Sequence, residues 1–142
     1  MKLVVDTNVL LSSTLWTGTA SRLVDAVLDG AATLCLSASV LAEFTEVIQR
    51  EKFRPRLEQR GRSVEAILAR LGAVAVVVKP AAIAAPASLR DPDDIHVLAC
   101  AVAANADVIV TGNEDLLVLE SFEGIPILKV RAALDMLGIP AE

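Results

Sequence analysis

Three acidic residues stand where carboxylate chemistry is possible: Asp6, Glu43 and Asp94. Asp6 directly follows an apolar run typical of a buried strand. At 100° per residue, Glu43 borders the apolar face of a helix centred on Phe44, and Asp94 shares a helix face with Leu98. Ionised acids are rarely buried unless they are paired or bind a metal. Two carboxylates about 4 Å apart repel by roughly 4 kcal/mol at an effective dielectric of 20, so the pattern predicts a divalent cation among them.

The type of donor indicates the metal and the reaction. Carboxylate oxygens, with no thiolate or imidazole ligand, suit Mg²⁺ or Mn²⁺ rather than Zn²⁺. The expected reaction is metal-assisted attack of water on a phosphodiester. Taken singly, each acid has a simpler explanation: Asp6 could cap a turn, Glu43 could be solvated, and Asp94 could interact with a helix N-terminus, the role we assign to Asp91 and Asp93. Only the joint pattern favours catalysis.

Strands and helices alternate along the chain. Apolar runs predict strands over 2–5, 33–36, 74–78, 107–111 and 125–128, and helical patterns predict helices over 18–30, 38–50, 63–71, 91–105, 114–119 and 130–137. This alternation predicts an α/β fold with a central parallel sheet of about five strands flanked by helices on both faces. With 142 residues, we expect one domain over 1–142. Ligands of such sheets bind beyond the carboxyl ends of the strands, where Asp6 and the 111–115 turn must lie.

Four motifs, taken in order, resemble those of the PIN domain family. They are Asp6-Thr7-Asn8 after the first strand, Glu43 within Leu-Ala-Glu-Phe, Asp94 before Ile-His-Val-Leu-Ala-Cys-Ala, and the run from Val110 to Leu116. No single motif is specific, but their order and spacing are, and the resemblance spans nearly the whole chain. It extends to the small prokaryotic PIN proteins grouped with the toxins of toxin–antitoxin pairs, which resemble this chain in the phrase Arg90-Asp91-Pro92-Asp93-Asp94.

The resemblance implies a three-layer PIN-like fold and a Mg²⁺- or Mn²⁺-dependent endoribonuclease. Asp6, Glu43 and Asp94 match the acidic metal ligands of the family, and Asp115 would be a further, outer contributor to the metal site. Supporting positions are Thr7, Asn8, Thr111 and Asn113. Many relatives carry Asp at position 113, whereas the amide of Asn113 brings no charge. The implied partners are an RNA substrate, a cognate antitoxin and a second copy of the chain in a homodimer.

Composition restricts how nucleic acid could be held. Lys and Arg total 13 against 18 Asp and Glu, and the net charge of −5 disfavours tight, sequence-independent binding of long duplexes. Three Phe, one Trp and no Tyr disfavour a row of aromatic rings that stacks successive bases. Trp16 could fill the core or lie at the rim and touch substrate or a partner, and of the two we expect packing; His96 is expected at the surface. One segment is basic, and we expect it to approach the RNA backbone or an acidic partner through Arg50, Lys52, Arg54, Arg56, Arg60 and Arg62.

Other functions fit less well. A phospho-receiver domain needs paired acids at the end of its first strand, where Val5 precedes Asp6, and an Asp-x-Asp phosphatase needs an acid in place of Asn8. The stronger alternative is a catalytically weak PIN-like module that binds RNA or a partner. Cys35 and Cys100 lie in apolar runs, which indicates buried free thiols and a reducing cytoplasm. Asp6 and Asn8 interrupt the first apolar run, so we expect no secretory signal there, and no apolar run is long enough to predict a membrane span.

Overall fold

A six-stranded sheet forms the centre of the computed structural model, which describes residues 1–87, 89, 91 and 94–140. The strand order is β3-β2-β1-β4-β6-β5, and every pair is parallel except β5 with β6. The strands are β1 (Lys2–Val5), β2 (Thr33–Ser37), β3 (Val76–Val78), β4 (Val108–Val110), β5 (Ser121–Phe122) and β6 (Ile125–Leu128). The predicted α/β fold with a parallel sheet is confirmed. The additional strand, β5, pairs with β6 through a tight turn at Glu123 and Gly124, whose φ angles are 48° and 80°.

Helices cover both faces of this sheet. They are α1 (Thr7–Leu15), α2 (Thr19–Ala26), α3 (Ala38–Ile48), α4 (Arg54–Gln59), α5 (Val64–Val74), α6 (Ile95–Ala104), α7 (Glu114–Leu117) and α8 (Val130–Leu137). Leu3 and Val5 of β1 pack into one buried cluster with α1, α2, α3 and α8, whereas Val4 packs into a second cluster with α6 and α7. No helix in the described ranges is long and apolar enough to span a bilayer.

Two predicted helix boundaries have clear local causes. The Ser37 hydroxyl accepts a hydrogen bond from the Val40 N–H at 3.2 Å, so Ser37 is the N-cap predicted for α3. Gly30 adopts φ 111° in the turn Val27–Ala31 that follows α2, a conformation that favours glycine at a helix end.

Other predictions were wrong, because tertiary packing outweighs the local pattern. Helix α1 was not predicted, since it packs against α2, α3 and α4 and therefore buries residues around its circumference instead of one apolar stripe. Helix α4 was also missed. The predicted strand over 74–78 begins only at Val76, because α5 continues through Val74. Trp16 does not pack into the core and is 53% exposed.

Both cysteines are buried free thiols, as predicted. Burial raises the pKa of the Cys100 thiol to about 11 and also raises the pKa of Cys35. Neither thiol therefore carries charge near neutral pH, and both behave as small apolar side chains.

Candidate active site

Asp6 lies at the junction of β1 and α1, at the carboxyl end of the central strand. Its backbone N–H donates to the Val110 carbonyl at 3.0 Å, and its carbonyl accepts from the N–H groups of Val9 and Leu10. Although Asp6 occupies the N-cap position of α1, its side chain caps nothing. The carboxylate instead accepts a hydrogen bond from the Thr111 hydroxyl at 2.8 Å. Backbone hydrogen bonds therefore hold Asp6 in place, and its carboxylate is available to the site.

Two carboxylates are linked by polar residues that follow β4. The Thr111 hydroxyl, whose residue is fully buried, donates to Asp6 and accepts from the Asn113 N–H at 3.0 Å. The Asn113 amide then donates through Nδ2 to Asp94 Oδ2 at 3.0 Å. Its Oδ1 accepts from the Asp115 N–H at 2.9 Å, which makes Asn113 the N-cap of α7. A continuous hydrogen-bonded path thus connects Asp6, which follows β1, to Asp94, which precedes α6.

Four carboxylates line one cavity of about 290 Å³: Asp6, Glu43, Asp91 and Asp94. Glu43 comes from α3 and Asp94 from the start of α6, and these helices cover opposite faces of the sheet. No Lys or Arg is among the described residues that line this cavity. The cavity is therefore an acidic pocket without a basic side chain in its described wall.

The protonation of Asp94 responds to this environment. Burial raises the pKa of the Asp94 carboxyl, and the nearby charges of Asp91, Asp6 and Asp115 raise it further. The hydrogen bond from Asn113 acts in the opposite direction, because it stabilises the ionised form. A bound cation would relieve the same repulsion.

The structure gathers most of the predicted acidic and supporting positions. Asp6, Thr7, Asn8, Glu43, Asp94 and Asn113 all line the acidic pocket. Asp115 does not line it, but its charge acts on Asp94 from the first turn of α7. Glu46 is exposed, as its helical position predicts, and it pairs with Arg50 at 3.0 Å. Glu43 is exposed as well, so the two residues differ in whether they line the pocket and not in burial class. Arg90, Pro92 and Asp93 lie outside the described residues.

Sequence reasoning missed two pocket residues, His96 and Asp91. His96 is exposed, as expected, but it lines the acidic pocket from the first turn of α6. Asp91 was assigned to helix capping; its carbonyl accepts the Asp94 N–H at 3.1 Å, and the residue also lines the pocket. The feature of the sequence that could have identified both residues is their position within three residues of Asp94.

The basic segment does not form one free cationic surface. Arg50 pairs with Glu46, Arg62 lies 3.7 Å from Asp25, and the Lys52 ammonium sits over the Phe53 ring. Arg56 and Arg60 donate to backbone carbonyls at the end of α1. Their contact with RNA stays a prediction, and only some of these cations could make it without first breaking an ion pair.

The oxygen donors of the pocket suit a hard divalent cation. Within the described ranges, however, no three acidic, histidine or cysteine side chains are grouped closely enough to form a coordination shell as they stand. Glu43 makes no hydrogen bond or ion pair with any other described residue, so its carboxylate can rotate toward an ion.

Comparisons with known proteins agree with this architecture. A family model described as a PIN domain matches residues 2–115, which include the four acids of the pocket. A crystal structure of VapBC2 from Rickettsia felis, bound to a DNA fragment from their promoter, contains a similar fold. The TM-score is 0.56 at 17% sequence identity, over 91% of this chain and 98% of that one. No curated protein matches the chain in sequence.

Proposed function

Because this chain belongs to the PIN domain family, we propose that it is a Mg²⁺- or Mn²⁺-dependent endoribonuclease and the toxin of a toxin–antitoxin pair. The observation that carries the proposal is the acidic pocket, in which Asp6, Glu43, Asp91 and Asp94 converge without a basic side chain in the described wall. Burial and the charges of Asp91 and Asp6 raise the pKa of the Asp94 carboxyl, and a cation bound in the pocket would relieve this repulsion.

In this proposal Asp6, Glu43 and Asp94 hold the cation, and Asp115 adds negative charge from outside the pocket. A bound Mg²⁺ or Mn²⁺ would supply an activated water at neutral pH and stabilise charge on the departing oxygen. The RNA phosphodiester is the bond to be hydrolysed.

The protein's own residues prepare the site for this chemistry. Thr111 orients Asp6 through its hydroxyl, and Asn113 orients Asp94 through its amide nitrogen. Both ends of the Asn113 amide are engaged, so it acts as a positioning residue. The repulsion that a carboxylate at position 113 would exert on Asp94 is thereby avoided.

A protein partner is part of the proposal. The similar Rickettsia felis structure is described as VapBC2 bound to promoter DNA, and this likeness supports an antitoxin that binds the present chain. We also propose a homodimer and a cytoplasmic location, which fit the family resemblance and the free thiols.

The test is cleavage of RNA by the purified full chain in Mg²⁺ or Mn²⁺. We expect cleavage by the wild type and a loss of at least about 100-fold in Asp6→Asn and Glu43→Gln, because each removes a cation ligand and even the loss of an outer partner of a metal site costs about 10- to 100-fold. Glu46→Gln is the matched control on the same helix, since Glu46 points to solvent and pairs only with Arg50 among the described residues. Equal cleavage by wild type and Asp6→Asn would refute the proposal.

The alternative is a weak or inactive PIN-like module that binds RNA or a partner. The lack of a ready coordination shell among the described residues, together with the neutral Asn113, favours it over other non-enzymatic functions. It predicts RNA binding by wild type and Asp6→Asn alike, with cleavage by neither.

A further inference from the structure

The single tryptophan of the chain stands on a rigid support at the end of α1. Trp16 is 53% exposed, and the Arg56 guanidinium lies over its ring at 3.9 Å from the centroid. Arg56 is itself held by the Leu15 carbonyl at 2.9 Å and by the Gln59 side chain at 3.1 Å. One face of the indole is therefore covered by a fixed cation, and the exposed area belongs to the rest of the ring.

A second arginine fixes the backbone beneath the indole. Arg60 donates to the carbonyls of Ser13, Thr14 and Trp16 at 3.1, 3.0 and 2.8 Å. The hydrogen-bond partners of Arg56 and Arg60 are all neutral oxygens, in contrast to the carboxylates beside Arg50 and Arg62. Two guanidinium groups without an ion pair to a described residue therefore lie beside Trp16, although the Asp25 carboxylate acts on Arg60, and they can attract a phosphate backbone.

A groove beside the acidic pocket runs along α1 in the direction of this ring. The groove, of about 630 Å³, shares Asn8 and Asn113 with the pocket and extends along α1 as far as Ser12, with Glu114 also in its wall. Asn8 and Ser12, four residues apart, are exposed on one side of α1, and the exposed Trp16 directly follows the end of the helix, where its N–H donates to the Ser12 carbonyl. At 1.5 Å per residue, Asn8 and Trp16 are about 12 Å apart along the helix axis. That distance equals roughly three to four nucleotides of a stacked strand.

We propose that Trp16 is a stacking platform for one unpaired base of the RNA, three to four nucleotides from the cleaved bond. This inference rests on the proposed ribonuclease function and adds a subsite to it. An aromatic ring beside two arginines that bond only to neutral oxygens suits a base better than a protein interface, whose centre is a contiguous apolar patch. The other large exposed apolar side chains of the described residues lie on β3, α5, α8, the chain start and the segment after α7.

Because the chain has one Trp and no Tyr, its intrinsic fluorescence reports on Trp16 alone. The full-length Asp6→Asn variant in Mn²⁺ would be titrated with single-stranded RNA oligonucleotides of two to eight nucleotides, with binding followed separately by anisotropy of a terminal label. We expect quenching of Trp16 emission only by oligonucleotides of about four nucleotides or more. Binding of the longest oligonucleotides with unchanged emission would overturn the inference.

Variants of Trp16 provide the second test. Loss of a base–aromatic stack should weaken binding of an eight-nucleotide RNA roughly 5- to 150-fold in Trp16→Ala, whereas Trp16→Phe should retain most of the affinity. A two-nucleotide RNA should bind all variants equally. Val118→Ala, at a residue 65% exposed and remote from α1 in sequence, is the control for removal of a surface apolar group. Thermal unfolding of each variant would identify any loss of folding. If Trp16→Ala does not fold, the RNA affinity of Trp16→Phe is the remaining test.

The outcomes separate this inference from the proposed function. RNA cleavage that is insensitive to Trp16→Ala at every substrate length overturns the stacking subsite and leaves the ribonuclease intact. Absence of both RNA binding and cleavage overturns both. If Trp16→Ala cleaves RNA normally but is no longer inhibited by a protein encoded beside its gene, the ring is a protein contact and the inference is wrong.

Discussion

Substitution of Asn113 by Asp tests how the acidic pocket balances its charge. In the wild type, Asn113 donates to Asp94 Oδ2 at 3.0 Å and caps α7 by accepting from the Asp115 N–H at 2.9 Å. Asp at this position keeps the cap, because a carboxylate oxygen accepts the same hydrogen bond. It loses the donor to Asp94 and places a second carboxylate beside the first.

The expected cost follows from the repulsion between the two carboxylates, which we take to separate to about 4 Å once the hydrogen bond is lost. Two unit charges about 4 Å apart repel by about 4 kcal/mol at an effective dielectric of 20. Asp94 and Asn113 are only half-buried, so solvent screening reduces this figure by about half. Without a divalent cation, Asn113→Asp should therefore lose about 2 kcal/mol of unfolding free energy, or roughly 6–8 °C in Tm for a domain of this size. A cation bound between the two carboxylates should recover this loss.

The assay is thermal unfolding of wild type, Asn113→Asp and Asn113→Ser, each in EDTA and in Mn²⁺. Serine can also cap α7 but brings no charge, so this variant isolates the lost hydrogen bond to Asp94 from the added repulsion. We expect Asn113→Asp to be the least stable in EDTA and to gain the most from Mn²⁺. If its Tm in EDTA equals that of the wild type, or if Mn²⁺ raises the three Tm values equally, the assigned charge balance is wrong.

Two further predictions concern stability. Arg60→Ala should lower the free energy of unfolding in urea by about 2 kcal/mol, because three carbonyls at the end of α1 lose their charged hydrogen-bond donor. Arg54→Ala, at an exposed side chain, should change this free energy by less than about 0.5 kcal/mol. Equal losses in the two variants would contradict this role of Arg60. Since the raised pKa of Asp94 means that the folded state binds its proton more tightly, the ionised carboxyl lowers stability above that pKa. In EDTA, Asp94→Asn should thus be more stable than the wild type at pH 7, with the gain shrinking toward about pH 4; a gain that is independent of pH, or one matched by Asp135→Asn, would exclude this cause.

Local sequence patterns were sufficient to predict most strands of the sheet. The run Lys2–Val5 is apolar at Leu3, Val4 and Val5 because a central parallel strand is covered on both faces, and this composition can be recognised without knowing its neighbours. Ser37 and Gly30 marked a helix start and a helix end for equally local reasons, namely a side-chain cap and a left-handed backbone conformation. Helix α1 had no such signal, because packing on several sides erased its apolar stripe.

The sequence by itself determined which acids could share a site, because helical phase and strand ends restrict where Asp6, Glu43 and Asp94 can point. Only the tertiary structure decided what surrounds them. The bond between Asn113 and Asp94 joins residues 19 apart in sequence, and Arg60 meets Ser13 across 47 residues, so no periodicity encodes either contact. A run of six basic residues looked like one surface, yet Arg50 and Arg62 form ion pairs, and Arg56 and Arg60 bond to carbonyls at the end of α1. The guanidinium groups of these four residues bond to the acceptors that the folded chain brings within reach.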